Sequence, residues 1–198
     1  MARPIAKDHD DKRAHILAGA ARLFAEQGYA RSSMSMLAKS CGISKANIYH
    51  YYDSKDALLF DMLNTYLRQL RDTVRRSFPD AKAPEDRLRH MIGAVIELYE
   101  SADNVHKILI NALDSLPSEE QKILRDYQRE MIESVSATLR EVSPAAYAGN
   151  DEKLRMSAMS IFGMLNWYSI WNAGASQNSR EAYARFVSDL MLNGIEGR

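Results

Sequence analysis

A seven-residue stretch of the chain, residues 45–51, gathers side chains suited to contact with a polar, negatively charged surface. If the stretch is helical, successive side chains are turned by about 100°, so Ile48 and the following Tyr52 share one side. The side chains that point away from that side or flank it are Lys45, Asn47, Tyr49, His50 and Tyr51. Three tyrosines within residues 49–52 are too many to bury in a small unit, because each buried hydroxyl needs a hydrogen-bond partner. The stretch is therefore predicted to be a binding surface.

The preceding residues predict a short helix and a tight turn that position this surface. Apolar side chains recur at the spacing of a helix packed on one side, at Met34, Leu37, Ala38 and Cys41. Gly42 then ends the helix, because glycine adopts a left-handed conformation without steric penalty, and Ser44 can cap the next helix. The pattern is that of a helix-turn-helix, whose second helix enters the DNA major groove. An ordinary helical hairpin with a small aromatic core is the alternative interpretation.

Three residues outside this second helix are predicted to contact the DNA backbone. Ser33 and Ser35 lie at the start of the first of the two short helices, and Lys55 follows a predicted cap at Ser54. The N-terminus of a helix favours phosphate, because its free amides and its dipole attract negative charge. These side chains are expected to position the protein, whereas the residues of the second helix read the groove.

The sequence around these residues resembles a known family, because residues 11–60 are similar to the N-terminal domain of the TetR family of transcriptional regulators. The residues that carry the resemblance form an ungapped series: Ile16, Ala20, Leu23, Phe24, Gly28-Tyr29, Ser33, Leu37-Ala38, Gly42-Ile43-Ser44-Lys45, Ile48 to Tyr52, and Ser54 to Leu59. The chain has Ala46-Asn47 where the family commonly has Gly-Thr, and Tyr52 where it commonly has Phe. The resemblance implies a double-stranded DNA operator as partner, a small-molecule effector, pairing through the last two helices, and repression as the usual outcome.

The distribution of charge agrees with DNA binding at one end of the chain. The 198 residues carry no net charge, but residues 1–55 contain nine Lys and Arg against five Asp and Glu. The remainder contains seventeen against twenty-one, which makes the body acidic. A basic head on an acidic body suits a protein that contacts nucleic acid locally. We expect residues 1–55 to form the DNA-binding domain and residues 56–198 the ligand-binding and dimerisation domain.

Composition argues against several other classes of protein. One cysteine excludes an internal disulfide and a cysteine-based zinc site, and the five histidines show no metal-ligand spacing. No glycine-rich phosphate loop appears, and nothing favours acid–base catalysis by the scattered carboxylates. No apolar run approaches the roughly 20 residues that span a bilayer, and no signal peptide precedes the first helix. The sequence thus predicts a cytoplasmic protein that is not an enzyme, without metal, cofactor or membrane partner.

The whole chain is predicted to be all-α, with about nine helices. The first runs from about Asp11 to Gln27, the fourth ends near Phe78-Pro79, and residues 143–150 form a loop. The eighth helix, from about Asp151, is apolar nearly all round, which is typical of a helix covered on both sides. We interpret the last two helices as a homodimer interface across a twofold axis, with a buried monomer core as the alternative. The interface residues would be Met156, Met159, Gly163, Ile170, Trp171, Tyr183, Phe186, Val187 and Leu190.

The remaining apolar residues suggest a ligand cavity. Ten methionines is a high count, and flexible Met side chains tolerate cavities of variable shape. The candidates to line such a cavity are Met91, Val95, Tyr99, Ile108, Leu113, Tyr127, Met131, Phe162 and Trp167, with His106 and Asn166 as polar groups that could orient a ligand. For each residue, plain core packing is the alternative.

Two segments are similar to one branch of the family. The segment 163–167 with Trp171 is similar to regulators that sense acyl-coenzyme A thioesters, and residues 44–63 are similar to repressors of phenylacetate catabolism. This resemblance implies an acyl-CoA effector such as phenylacetyl-CoA. The resulting hypothesis is a homodimeric repressor on a near-palindromic operator, whose effector shifts the fourth helix and separates the two heads. The alternative is a helical dimeric interaction protein, or a small-molecule-binding protein, without DNA binding.

Overall fold

The structure is a computed structural model that describes residues 3–76, 83–172 and 174–194. These residues form ten α-helices and one short 3-10 turn, Leu113–Ser115, and contain no β-strand. The helices are α1 Arg3–Gln27, α2 Met34–Cys41, α3 Lys45–Tyr51, α4 Lys55–Arg76, α5 Pro84–Ser101, α6 Asp103–Ala112, α7 Ser118–Val142, α8 Pro144–Tyr147, α9 Asp151–Trp171 and α10 Gln177–Asn193. The all-α prediction is confirmed.

The observed helices differ from the predicted ones at three places. Helix α1 begins eight residues earlier than the predicted Asp11. The segment predicted as a loop after Val142 contains the four-residue helix α8, which Pro144 opens because proline suits the first helical turn. The predicted end of α4 at Phe78-Pro79 lies outside the described residues.

The chain divides into two compact units. The first comprises residues 1–66 and 104–123, and the second comprises residues 67–103 and 124–198. Helices α4 and α7 each contribute residues to both units. The division into domains at residues 1–55 and 56–198 stays a prediction.

The first unit has a core of aliphatic and aromatic side chains from α1 to α4. Helix α1 packs on α2, and α2 packs on α3. The buried side chains include Ile16, Ala20, Phe24, Leu37, Ile48, Leu58 and Leu59. Gly19 allows the close approach of α1 and α2, because a Cβ atom there would overlap the sulfur of Cys41. Burial raises the pKa of the Cys41 thiol, so this cysteine behaves as a packing residue.

The second unit is organised around α5, which packs on both α9 and α10. Its core includes Leu88, Ile92 and Ile96 of α5, Ile161 and Leu165 of α9, and Val187 of α10. Full burial of a Leu or Ile side chain contributes about 1.5–3 kcal/mol to stability, so this set fixes α5 between the two C-terminal helices.

Candidate functional site

Two serine caps and one glycine define the ends of these helices. Ser33 caps the start of α2, Gly42 ends α2, and Ser44 caps the start of α3. The Ser33 Oγ accepts a hydrogen bond from the backbone N–H of Met36 at 3.2 Å, and the Ser44 Oγ accepts one from Asn47 at 3.1 Å. Between the caps, Gly42 has φ = +66°, which side chains with a Cβ rarely adopt. Each serine cap stabilises its helix by roughly 1 kcal/mol, so the turn is set by local chemistry. The oxygen of the Ser33 hydroxyl therefore accepts a bond from its own helix, and this bond does not use the O–H donor.

Helix α3 has one buried side and one open side. The side chain of Ile48 is fully buried, whereas Lys45, Asn47, Tyr49 and His50 are exposed. The open side is thus the one that the sequence predicted. The Lys45 ammonium lies 5.6 Å from the centre of the Tyr49 ring, a cation–π distance that orients both side chains.

The other tyrosine of the open side, Tyr51, is half-buried and belongs to a small aromatic cluster. Its ring centre lies 4.8 Å from that of His9 in α1 and 5.3 Å from that of His50. Ser35, on α2, is exposed. The predicted groove and backbone residues of α2 and α3 therefore stand on the surface of the first unit, with Tyr51 as the most covered of them.

Three polar side chains, Arg13, Tyr52 and Asp61, form a hydrogen-bonded cluster at the C-terminal end of α3, which we call the Asp61 anchor. The Tyr52 hydroxyl donates to Asp61 Oδ2 at 2.5 Å, and Arg13 Nη2 donates to both carboxylate oxygens of Asp61 at 2.5 and 2.6 Å. Burial, reinforced by the bond to Asp61, raises the pKa of Tyr52, so its hydroxyl stays protonated and donates. The anchor joins α1 and α4 to Tyr52, the residue that directly follows α3.

Sequence reasoning missed Arg13 and Asp61. The available signal was Tyr52 itself, which stands where similar proteins commonly have Phe, because the extra buried hydroxyl requires an acceptor nearby.

The Lys55 side chain forms hydrogen bonds with the loop that follows α1. Its ammonium donates to the carbonyl oxygens of Tyr29 at 2.9 Å and Ser32 at 3.0 Å, and it lies 4.2 Å from the centre of the Tyr29 ring. The Tyr29 hydroxyl in turn donates to Asp56. An ammonium has three donors, so these two bonds take most of its capacity. The phosphate contact of Lys55 stays a prediction, and its observed contacts are structural.

The predicted ligand residues fall into both compact units. In the first unit His106, Ile108 and Leu113 are buried, and His106 Nδ1 lies 2.9 Å from the hydroxyl of Tyr66. Burial lowers the pKa of His106 to about 4, so the imidazole is neutral at pH 7. These three residues are core residues of the first unit.

In the second unit, Met91, Val95, Tyr99 and Met131 are buried. The Tyr99 hydroxyl donates to Asn166 Oδ1 at 2.6 Å, which makes this pair a polar point inside the unit. Two other predicted lining residues, Tyr127 and Phe162, are half-buried. The Arg71 guanidinium lies 4.7 Å from the centre of the Tyr127 ring.

Metal centres and membrane-spanning helices are two further kinds of site. Within residues 3–76, 83–172 and 174–194, no group of three or more His, Cys, Asp and Glu side chains could hold a metal ion. In the same part of the chain, every helix is too short or too polar to cross a lipid bilayer.

Comparison with known proteins decides the family. A family described as bacterial regulatory proteins, tetR family, matches residues 16–62, and one described as a tetracyclin repressor-like C-terminal domain matches residues 81–195. The chain belongs to the TetR family. It therefore has the DNA-binding and C-terminal domains of a TetR-type transcriptional regulator, a class of proteins that are not enzymes, as predicted from the sequence.

Individual relatives give the same result. The crystal structure of a TetR-family transcriptional regulator from Bordetella parapertussis 12822 is 33% identical, covers 94% of this chain and 96% of that chain, and has a TM-score of 0.87. The regulator HbdR of Aromatoleum sp. (strain CIB) is 22% identical over 70% of this chain, but the match spans only 60% of HbdR. The crystal structure of AibR in complex with isovaleryl coenzyme A and operator DNA shares the fold, with 24% identity, coverage of 92% of this chain and 98% of that chain, and a TM-score of 0.76.

In this TetR-family chain, α9 carries an exposed apolar stripe opposite its buried side. The stripe consists of Met156, Met159, Gly163, Trp167, Ile170 and Trp171, and α10 adds Phe186. The exposed fractions of Met156, Trp167, Trp171 and Phe186 are 56%, 64%, 58% and 60%. Large apolar side chains exposed in one contiguous patch mark an interaction surface.

Two predicted roles are corrected by these burials. Trp167 was predicted to line a ligand cavity, but it is one of the most exposed large apolar side chains and belongs to the stripe. Val187 was predicted at the dimer interface, but it is fully buried within the protomer and is a core residue. Tyr183 and Leu190 are half-buried at the edge of the stripe, and the Tyr183 hydroxyl donates to the Met164 carbonyl oxygen at 3.0 Å.

Proposed function

We propose that the protein is a homodimeric repressor that binds a near-palindromic operator through α3 and is released by a small effector. The observation that carries the proposal is the exposed face of α3, fixed from behind by the Asp61 anchor, in a chain of the TetR family. A rigid helix with polar and aromatic side chains on its open face suits insertion into the major groove.

The residues divide into two groups by the contacts that they can make. Asn47 and His50 are short, exposed and polar, and are proposed to read base edges. Lys45, Tyr49 and Tyr51 are proposed to contact the groove walls and phosphates. Ser33 and Ser35, at the start of α2, are proposed to position the backbone through their hydroxyl and amide groups.

The exposed stripe of α9 and α10 supports pairing of two chains. A second copy of the same stripe would remove Trp167, Trp171 and Phe186 from water, at about 25 cal/mol for each square ångström of apolar surface. Twofold pairing would present two α3 helices to successive major grooves, whose centres lie about 34–36 Å apart on one face of the duplex.

The proposed effector is an acyl-CoA thioester, of which phenylacetyl-CoA is the first candidate. Support comes from the similarity of residues 163–167 and Trp171 to acyl-CoA-sensing regulators and from the fold shared with AibR. The Tyr99–Asn166 pair supplies a polar point against which a thioester could orient. Because α4 contributes to both compact units, it is the proposed carrier of the coupling, and the effector must bind the DNA-incompetent form more tightly.

Operator binding is tested with a matched pair of lysine variants. Lys45→Ala removes an exposed cation from α3, whereas Lys122→Ala removes an exposed cation from α7 in the same unit. Fluorescence anisotropy is measured with DNA from upstream of the protein's own gene over a salt series. Lys45→Ala should weaken binding and lower the slope of log affinity against log salt by about 0.9 for each phosphate that Lys45 neutralises. Equal affinities and slopes for the two variants would contradict the assignment of α3.

The effector class is tested on the protein–operator complex. Phenylacetyl-CoA should lower the anisotropy of labelled operator and raise the melting temperature of the protein, whereas free coenzyme A serves as the control. If thioesters neither stabilise the protein nor release it from DNA, the acyl-CoA proposal is wrong while the DNA-binding proposal stands.

A further inference from the structure

A cavity of about 200 Å³ lies within the second unit, where α5 and α9 end and α10 begins. Its walls combine apolar and polar side chains, among them Ile96, Tyr99, Tyr168, Ser169, Asn172 and Arg180. The volume is below the range of about 300–1,000 Å³ typical of sites for drug-sized ligands, so the cavity suits a compact molecule. Of the residues proposed above for the effector, Tyr99 is the one that also lines this cavity.

Arg180 is a buried cation on the cavity wall, and its Nε–H donor is not paired within the described residues. Its side chain pairs with the Glu100 carboxylate, and its Nη1 donates to the Ala175 carbonyl oxygen. The residue is only 8% exposed, and its Nε is covered by protein and has no hydrogen-bond partner among the residues that the structure describes. A buried donor without an acceptor is unfavourable, and more so when it belongs to a charged group.

Tyr168 also lines this cavity, and its hydroxyl is a second donor that is not paired within the described residues. Its ring stacks on that of Tyr183 with 4.0 Å between centres and 12° between planes, and it meets the ring of Trp171 edge-on at 5.4 Å. These contacts fix the direction of the ring. The residue is 4% exposed, yet its hydroxyl is covered and has no hydrogen-bond partner within the described parts of the chain.

We propose that this cavity binds a small carboxylate, which accepts hydrogen bonds from the Tyr168 hydroxyl and from Nε of Arg180. Hydrogen bonds from a guanidinium to a carboxylate are roughly twice as strong as neutral ones. Glu100, the present partner of Arg180, is half-exposed and keeps its contact with water, so Arg180 can serve a second carboxylate. Ile96 and Tyr99 provide apolar walls for a short aliphatic or aromatic group on the ligand. Because both donor atoms are covered by protein in this conformation, a small movement of Tyr168 or Arg180 accompanies binding.

Carboxylate binding at this cavity does not depend on DNA binding or on the acyl-CoA effector. Binding is measured on the full chain alone, so failure of the operator experiments leaves this proposal untouched. Failure of the carboxylate experiment likewise leaves the operator proposal untouched.

The test is isothermal titration calorimetry with acetate, butyrate and benzoate, each compared with its neutral amide. Carboxylates should bind and the amides should bind at least tenfold more weakly. Tyr168→Phe keeps the stacked ring and removes only the hydroxyl, so it should weaken carboxylate binding about tenfold or more. Arg180→Lys keeps the charge but lacks the Nε–H group, and it should weaken binding by a similar factor.

Tyr183→Phe is the matched control, because it removes a hydroxyl from the partner ring of the stack that does not line the cavity. It should leave carboxylate affinity unchanged. The proposal is overturned if no carboxylate binds at millimolar concentration, if the amides bind equally well, or if Tyr168→Phe binds as tightly as the unchanged protein. Circular dichroism melting of each variant confirms that it is folded before titration.

Discussion

The polar groups around α3 in the first unit and those beside the cavity of the second unit are paired to different extents. Around α3, the polar groups that set its geometry are paired: Ser33 and Ser44 cap helices, Lys55 bonds two carbonyl oxygens, and Asp61 accepts from Tyr52 and Arg13. In the second unit, the Tyr168 hydroxyl and Nε of Arg180 are buried and find no partner in residues 83–172 and 174–194, and α9 exposes a stripe of apolar side chains. The first arrangement is complete within one chain, whereas the second leaves the groups that the proposed second copy and the proposed ligand would cover.

This difference relates to what DNA reading, chain pairing and ligand response each require of a structure. A surface that reads DNA must hold one geometry, because base contacts tolerate little displacement, and a paired polar network provides that rigidity. A unit that pairs with another copy and responds to a ligand must gain free energy when its partners arrive. Unpaired donors and exposed apolar side chains supply that gain.

The largest expected effect comes from placing a charge in the exposed stripe. Phe186→Glu should prevent pairing, because a buried unpaired carboxylate costs several kcal/mol. Analytical ultracentrifugation should show a shift from dimer to monomer, and operator affinity should fall by more than about a hundredfold, since each head then binds alone. Ala145→Glu adds the same charge at an exposed position of α8 and should leave the dimer intact. A dimeric Phe186→Glu protein would show that the stripe is not the interface.

The next effect tests the rigidity of the Asp61 anchor in the first unit. Asp61→Ala removes the acceptor of both Tyr52 and Arg13, and should lower the free energy of unfolding by about 2–3 kcal/mol. Tyr52→Phe keeps the ring and loses one hydrogen bond, so it should cost only about 1 kcal/mol. Urea denaturation measures both values, and anisotropy measures operator affinity. Operator affinity unchanged in folded Asp61→Ala would separate the anchor from the presentation of α3.

A smaller effect concerns pH and His106. Burial lowers the pKa of His106 to about 4, whereas an unfolded histidine has a pKa of about 6.5. The unfolded chain therefore binds a proton between these values that the folded chain does not, so the stability is full well above a pH of about 6.5 and falls as the pH decreases. Between pH values of about 6.5 and 5, the loss attributable to His106 is roughly 1.5 kcal/mol.

The control for this prediction is His106→Gln, which cannot titrate. Urea unfolding at the two ends of this interval should show a larger loss of stability in the unchanged protein than in the variant. If the two proteins lose the same free energy over the interval, His106 is not the titrating group. The interval lies above the usual pKa of Asp and Glu, which limits their contribution.

Much of the helix-turn-helix formed by α2 and α3 could be predicted from the sequence, because its signals are local. The spacing of Met34, Leu37 and Ala38, the glycine at position 42 and the serine at position 44 each act within a few residues. The same periodicity assigned Ile48 to the core and Asn47 to the surface. Asp61 and Arg13 could not be paired in this way, since 48 residues separate them and neither has a distinctive local pattern.

The second unit was harder to predict, because α9 is apolar on nearly every side. A helical period identifies the buried face only when the other face is polar. The sequence therefore could not tell that Trp167 is exposed while Leu165 and Tyr168 are buried. The misplacement of Val187 has the same origin, because α10 also carries apolar side chains on more than one side.

By itself, the sequence determined the all-α class, the helix-turn-helix and the outward face of α3, because capping and helical periodicity depend on neighbours within about four residues. Only the tertiary structure decided which acceptor Tyr52 meets, which loop Lys55 holds, and which side of α9 remains open. Those outcomes depend on contacts between segments that are distant in the chain, and no local preference specifies them.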